Sequence, residues 1–272
     1  ALPRTCLYQN YLRCHDDIGW GLDYGWLARQ GQAEVPHKRY LNDWFTGRYP
    51  GSWSRGELYN DDPRLGDARL CGTTASLCGI ESALASGDPE ALEQALRCHI
   101  MLHAWMFSQS GIPVLYSGDE LGQLNDYRYH GDPAKADDSR YLHRGNFPWE
   151  LSILRKDKAT VPGRIFQGLR RLERIRGREP AFRSDAEVAL PDSGNHSVLV
   201  LCRRYGEEEL VALFNFSEHA QSIPVPESIR NHPGPWTDLV SRQPLECKNP
   251  EEETLDLPGY GFLWLKASPA ET

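Results

Sequence analysis

Residues 1–180 contain only two convincing strand–helix units, and that small number governs what the chain can fold into. One strand is read at residues 7–14, rich in apolar and aromatic side chains and ending in His15-Asp16-Asp17. The other is Val114-Leu115-Tyr116, followed by Ser117-Gly118-Asp119-Glu120. Between them Asp88-Pro89-Glu90 opens a helix: Asp88 caps it, Pro89 suits the first turn, and Glu90 favours the positive end of the dipole. This helix is expected to reach about residue 109, with Leu92, Leu96, Ile100 and His103 on one stripe, before Gly111-Ile112-Pro113 breaks it. A second helix is expected over residues 161–176, where Ile165, Phe166, Leu169, Leu172 and Ile175 recur at helical spacing and Gly177 terminates. Strand–helix alternation predicts buried parallel strands joined by right-handed crossovers. Parallel sheets are covered on both faces, so two strands do not make a complete one. The segment reads as the end of a larger barrel.

After Pro180 the pattern changes. Val198-Leu199-Val200-Leu201, Leu210-Val211-Ala212-Leu213-Phe214 and Gly261-Phe262-Leu263-Trp264-Leu265 are short strands between turn-rich stretches, which reads as a separate antiparallel domain. Residues 18–72, rich in Trp, Tyr, Gly, Asp and Arg, form a long excursion with short helices. A stretch that irregular inside a compact domain is usually functional.

Composition removes several classes of function. A net charge of -8 argues against nucleic acid as a partner, because phosphate binding needs a basic face. No run of about 18 apolar residues is present, so no membrane span is expected. Seven cysteines (6, 14, 71, 78, 98, 202 and 247) are scattered and none forms a CxxC pair. That predicts no zinc site and free thiols in a reducing, cytoplasmic setting. Ala1-Leu2-Pro3-Arg4 carries neither an initiator methionine nor a signal-peptide pattern, so it does not tell whether a parent protein is exported.

His15-Asp16-Asp17 is the sharpest local signal. At the C-terminal end of a barrel strand a carboxylate can stabilise an oxocarbenium-like transition state, and the His can donate to a sugar hydroxyl. The alternative is a triplet that only caps backbone groups. Asp119 and Glu120 are adjacent and diverge, so a structural role is favoured for them. Trp20, Tyr24, Trp26, Trp44, Trp53, Tyr127 and Tyr129 could stack on sugars, but a loop that large needs its own small core. Asp126, Asp132, Asp137 and Asp138 lack calcium-loop spacing and read as solvated acids, so neither a metal nor a cofactor is expected.

Several of these stretches resemble one family. Asn10-Tyr11-Leu12-Arg13-Cys14-His15-Asp16-Asp17-Ile18-Gly19-Trp20 is similar to the seventh-strand motif of the α-amylase superfamily (glycoside hydrolase family 13), and HDDIGW resembles the amylosucrases within it. Residues 111–122, GIPVLYSGDELG, resemble the eighth strand and its exit. Leu124-Asn125-Asp126 and Lys135-Ala136-Asp137-Asp138-Ser139-Arg140 are similar to the amylosucrase continuation, and Leu213-Phe214-Asn215-Phe216-Ser217 resembles the terminal β-domain.

The resemblance implies an α/β plus all-β chain. Residues 1–180 would be the C-terminal part of a (β/α)8 TIM barrel, strands 7 and 8 with an insertion at 18–72, and residues 181–272 an antiparallel β-sandwich domain. It implies that Asp16 stabilises the transition state, His15 contacts the glucosyl ring and Asp17 faces the fructosyl side of sucrose. Arg69, in Gly66-Asp67-Ala68-Arg69, would bind the acceptor or fructosyl unit. Arg140 would close the pocket floor against an Asp from the N-terminal half; a local ion pair with Asp137 or Asp138 is the plainer reading. Asn60-Asp61-Asp62 departs from the family and leaves the acceptor subsite open.

Retaining glycoside chemistry needs a nucleophile and an acid/base carboxylate, which the family takes from strands four and five. The expectation is therefore an enzyme segment, inactive alone, that needs the N-terminal half of the barrel on the same or a second chain. Its substrates would be sucrose and α-glucan, with retention and without a cofactor. A non-catalytic glucan- or protein-binding module, or part of a related α-glucan hydrolase, are the alternatives.

Overall fold

A computed structural model of the chain describes residues 6–232, 235–245 and 254–267. Cys247 and the first five residues lie outside them. The elements begin with β1 (Gln9–Asn10), α1 (Tyr24–Arg29), α2 (Glu34–Phe45), β2 (Glu57–Asp62), β3 (Asp67–Cys71), α3 (Thr74–Leu77), α4 (Ile80–Ser86) and α5 (Pro89–Ser108). Next come β4 (Ile112–Pro113), α6 (Trp149–Ser152) and α7 (Val161–Arg176). The rest are β5 (Glu187–Ala189), β6 (Val198–Tyr205), β7 (Glu208–Asn215), β8 (Gln221–Pro224), α8 (Glu227–Arg230), β9 (Trp236–Asp238), β10 (Thr254–Leu257) and β11 (Phe262–Ala267). The helix ends obey their sequence signals. Asp88 Oδ1 accepts from the backbone N–H of Glu90 at 2.9 Å and of Ala91 at 3.2 Å, and Gly177 follows the last residue of α7.

Contacts divide the chain into two compact units, each discontinuous in sequence. One comprises Leu12–His99 and Leu115–Ile165. Within it β2 and β3 form an antiparallel hairpin whose register slips between Tyr59 and Asp62, with Asn60 in the left-handed region at φ 52°. That bulge falls on Asn60-Asp61-Asp62. Asp62 is held locally by Arg64, which reaches it at 3.1 Å. An isolated bridge pairs Ile18 with Leu70, which lays the residues after Asp17 alongside β3. The excursion has the small core its aromatic content predicts: Trp44 meets Trp53 edge-on at 5.0 Å, Tyr40 meets Tyr49 at 5.0 Å, and Trp20 stacks on Phe45 at 5.8 Å. Gly79 sits at φ 96° with the Trp53 ring where a Cβ would stand, so this position admits only glycine comfortably.

The other unit comprises Ala1–Tyr11, Ile100–Val114 and Phe166–Thr272. Its main sheet has the order β5-β6-β7-β11-β9, antiparallel throughout, and β8 pairs with β10 in a second ladder. Val200, Val211, Leu213 and Leu265 from the large sheet share one core with Ile223, Leu255 and Leu257 from the small ladder. The three strands expected from sequence are β6, β7 and β11. Asn215 ends β7 fully buried, its amide donating to the carbonyls of His219 and Pro258 at 2.8 and 2.9 Å while its oxygen accepts from Ser217 N–H at 2.9 Å.

Two strand expectations need correction. Only Gln9 and Asn10 of the first stretch pair, in parallel with Ile112 and Pro113, so the second strand begins at the residues read as a helix breaker. Neither strand is buried: Tyr8 is 61% exposed and Ile112 is 49% exposed. A ladder of two short strands leaves both outer edges unpaired, and apolar side chains on it stay exposed where no layer covers them.

Candidate active site

Every residue described here belongs to the unit that holds Leu12–His99 and Leu115–Ile165. The centre is the turn Cys14-His15-Asp16-Asp17, and its backbone is gripped by three cationic or imidazole side chains. Arg13 is buried and donates from Nε to the Gly72 carbonyl at 2.9 Å and from a terminal nitrogen to the Asp16 carbonyl at 3.1 Å. Arg144 donates from Nε to the His15 carbonyl at 2.6 Å. His143, also buried, accepts at Nδ1 from the Gly72 N–H at 3.2 Å. Its Nε2 must then carry the proton, and it lies 3.3 Å from the same His15 carbonyl. Burial, reinforced by the Arg13 charge, lowers the His143 pKa to about 4 and keeps the ring neutral. The turn is thus pinned through its carbonyls, and the His15 and Asp16 side chains project outward.

Those projecting groups are open to solvent, His15 at 71% and Asp16 at 57% side-chain exposure. His15 Nε2 lies 3.4 Å from one carboxylate oxygen of Asp16, and an Arg144 terminal nitrogen lies 3.7 Å from the other. A carboxylate fixed this way, with part of its charge uncompensated, suits stabilisation of a cation forming in front of it.

Two further arginines lie near the turn. Arg140 forks onto Asp138 with two contacts of 2.8 Å and lies over the Tyr59 ring at 4.8 Å. This is the local pair that the Asp137-Asp138-Ser139-Arg140 order allows. Arg140 holds the Asp138 carboxyl below its ordinary pKa range. Asp17 lies within electrostatic reach of Arg140 and helps raise its pKa. Arg69, exposed on β3, occupies the space a side chain on Gly19 would fill, beside the segment that follows Asp17.

His15, Asp16, Asp17, Arg69 and Arg140 therefore share one unit, with the first four on or beside a single turn. Sequence reasoning missed Arg13, His143 and Arg144, the residues that hold that turn. Arg13 was legible as a charge inside an apolar stretch; His143 and Arg144 carry no local signal, because these partners lie 71 to 129 residues away. Asp119 is buried, and Glu120 folds back to accept from Gly118 N–H at 2.8 Å, so neither presents a free carboxylate. Asp126, Asp132 and Asp138 each hold a nearby cation, Arg128, Lys135 and Arg140. Tyr127 and Tyr129 spend their hydroxyls on Glu81 and Glu57. No helix among the described residues is long and apolar enough to cross a membrane.

Comparison with known proteins adds to this geometry. Residues 189–264 match the family model for the maltogenic amylase C-terminal domain. Over 126 residues the chain is 29% identical to the glucosylglycerate phosphorylase of Escherichia coli (strain K12), a match covering 46% of this chain and 22% of that protein. A variant of AmyP in complex with maltotriose superposes with a TM-score of 0.55 at 16% identity, covering 73% of this chain and 39% of that one. AmyP in complex with maltose gives 0.51 at 17% identity, covering 67% and 37%. The chain thus spans well under half the length of each. At such identities the structural likeness concerns fold alone.

Proposed function

We propose that this chain is the C-terminal segment of a retaining α-glucoside-active enzyme of the α-amylase type, amylosucrase-like, with sucrose as glucosyl donor. Asp16 stabilises the oxocarbenium-like transition state, His15 donates to a hydroxyl of the glucosyl ring, and Asp17, Arg69 and Arg140 line the leaving and acceptor side. The observation that carries this reading is the grip of Arg13, His143 and Arg144 on the His15 and Asp16 carbonyls. It fixes the backbone that presents a solvent-facing carboxylate, so that turn need not reorganise when substrate arrives. A local pair such as Arg140–Asp138 shapes the rim of that turn, and bidentate geometry keeps the guanidinium plane in place.

The nucleophile and the general acid would come from further strands of the same barrel. The unpaired edges of the β1–β4 ladder and the exposed Leu7, Tyr8, Ile112 and Val114 support a place for such strands in the protein's working form. The six free thiols among the described residues favour the cytoplasm.

Whether the glucosyl unit passes to glucan, water or phosphate depends on the acceptor side. The named likeness to a phosphorylase supports a second reading with phosphate as acceptor, and the exposed Arg69 suits an anion there. Sugar release from sucrose, followed with the intact mass of the native protein, tests both. Fructose release that falls at least about a hundredfold with Asp16→Asn is expected. Glucose 1-phosphate formed only when phosphate is present would select the second reading. Turnover by a species of 30.9 kDa that survives Asp16→Asn would overturn the assignment.

A further inference from the structure

We infer that Cys14, His15 and Asp16 form a three-ligand site for a thiophilic divalent cation of the zinc class. The Cys14 sulfur, a His15 ring nitrogen and an Asp16 carboxylate oxygen all lie within 4.8 Å of one another. Tetrahedral zinc, with bonds of about 2.0–2.3 Å, holds its donors about 3.3–3.8 Å apart. Closing that difference takes side-chain rotation alone, and His15 and Asp16 are free to rotate in solvent. The backbone beneath them is already fixed by Arg13, His143 and Arg144, so the three donors cannot separate by more than their own rotamers allow. Asp16 N–H points at the Cys14 sulfur at 3.4 Å, the kind of outer contact that supports a ligating thiolate.

The donor set selects the metal. One sulfur, one imidazole and one carboxylate favour zinc, cobalt or copper over calcium or magnesium. Arg13 and Arg144 oppose a cation here, while Asp17 and Asp138 offset part of that charge, so moderate affinity is expected. The CxxC spacing that normally announces zinc is absent because the ligands are consecutive in the chain. A bound cation would occupy both the Asp16 carboxylate and the His15 ring and so exclude the glucosyl unit. That inhibitory consequence rests on the proposed function; the binding itself does not.

Cobalt(II), titrated into the 272-residue chain, is the probe, read by its thiolate-to-cobalt charge-transfer absorption in the near ultraviolet. The band is expected in the unaltered chain, to be displaced by zinc, and to vanish in Cys14→Ser. His15→Asn, at an exposed position that no fold contact needs, is expected to weaken cobalt binding at least about tenfold. Cys6→Ser, which removes an exposed thiol outside the site, should leave both unchanged. No band at millimolar cobalt, or a band that persists in Cys14→Ser or tracks Cys6, overturns the site. Zinc inhibition of sucrose turnover that disappears in Cys14→Ser would support the consequence. Cys14-dependent binding without any effect on turnover would keep the metal site and overturn the catalytic place of Asp16.

Discussion

A neutral histidine among arginines is the most informative single residue in the unit that holds the site. His143 titrates near pH 4 when folded, against about 6.5 in an open chain. Between those values the unfolded chain binds the extra proton, so stability that is complete above pH 6.5 is lost as pH falls to 4. The size is about 2–3 kcal/mol. Urea unfolding of the chain at pH 7 and pH 4.5 is expected to show this loss, and His143→Gln, which keeps a donor toward the His15 carbonyl, should flatten it. Arg13→Met is expected to cost about 3 kcal/mol, because it leaves the buried Gly72 carbonyl without its donor. Circular dichroism during urea unfolding would measure that cost. His15, Asp16 and Asp17 were singled out at the expected end of a strand, whereas β1 stops at Asn10. Most of their support was not legible, since the hydrogen bonds of His143 and Arg144 span 71 to 129 positions and leave no periodic trace in sequence.

Among the elements, α5 and α7 follow their sequence signals most closely. Asp88-Pro89-Glu90 holds a complete start, and Ile165, Leu169 and Leu172, spaced by four and three residues, are all buried in α7. Asp88→Ala should destabilise the chain by about 1 kcal/mol, seen as a drop of a few degrees in melting temperature. A larger loss is expected at the end of β7. Replacing Asn215 by Leu removes a buried amide that holds two carbonyls and an N–H of the partly exposed chain around it, and about 2 kcal/mol should go, measured by urea unfolding. The β2–β3 hairpin was not anticipated. Only β3 alternates, over Asp67-Ala68-Arg69-Leu70; ELYNDD does not, and the turn lacks the Asn-Gly or Asp-Gly pair that signals a tight hairpin.

For the whole chain, the exposed β1–β4 ladder sets the expectation. Unpaired edges beside Leu7, Tyr8 and Ile112 invite association, so the 272-residue chain by itself should form concentration-dependent oligomers in sedimentation velocity runs. Leu7→Lys combined with Ile112→Lys should shift it toward monomer. Sequence by itself determined α5, α7 and the switch to antiparallel strands after Pro180, because each rests on neighbours within a few residues. Tertiary structure alone decided that the first strands are short and exposed, and that Arg13, His143 and Arg144 close on one turn. Those outcomes depend on which surfaces find a partner, and partner choice is a property of the folded chain.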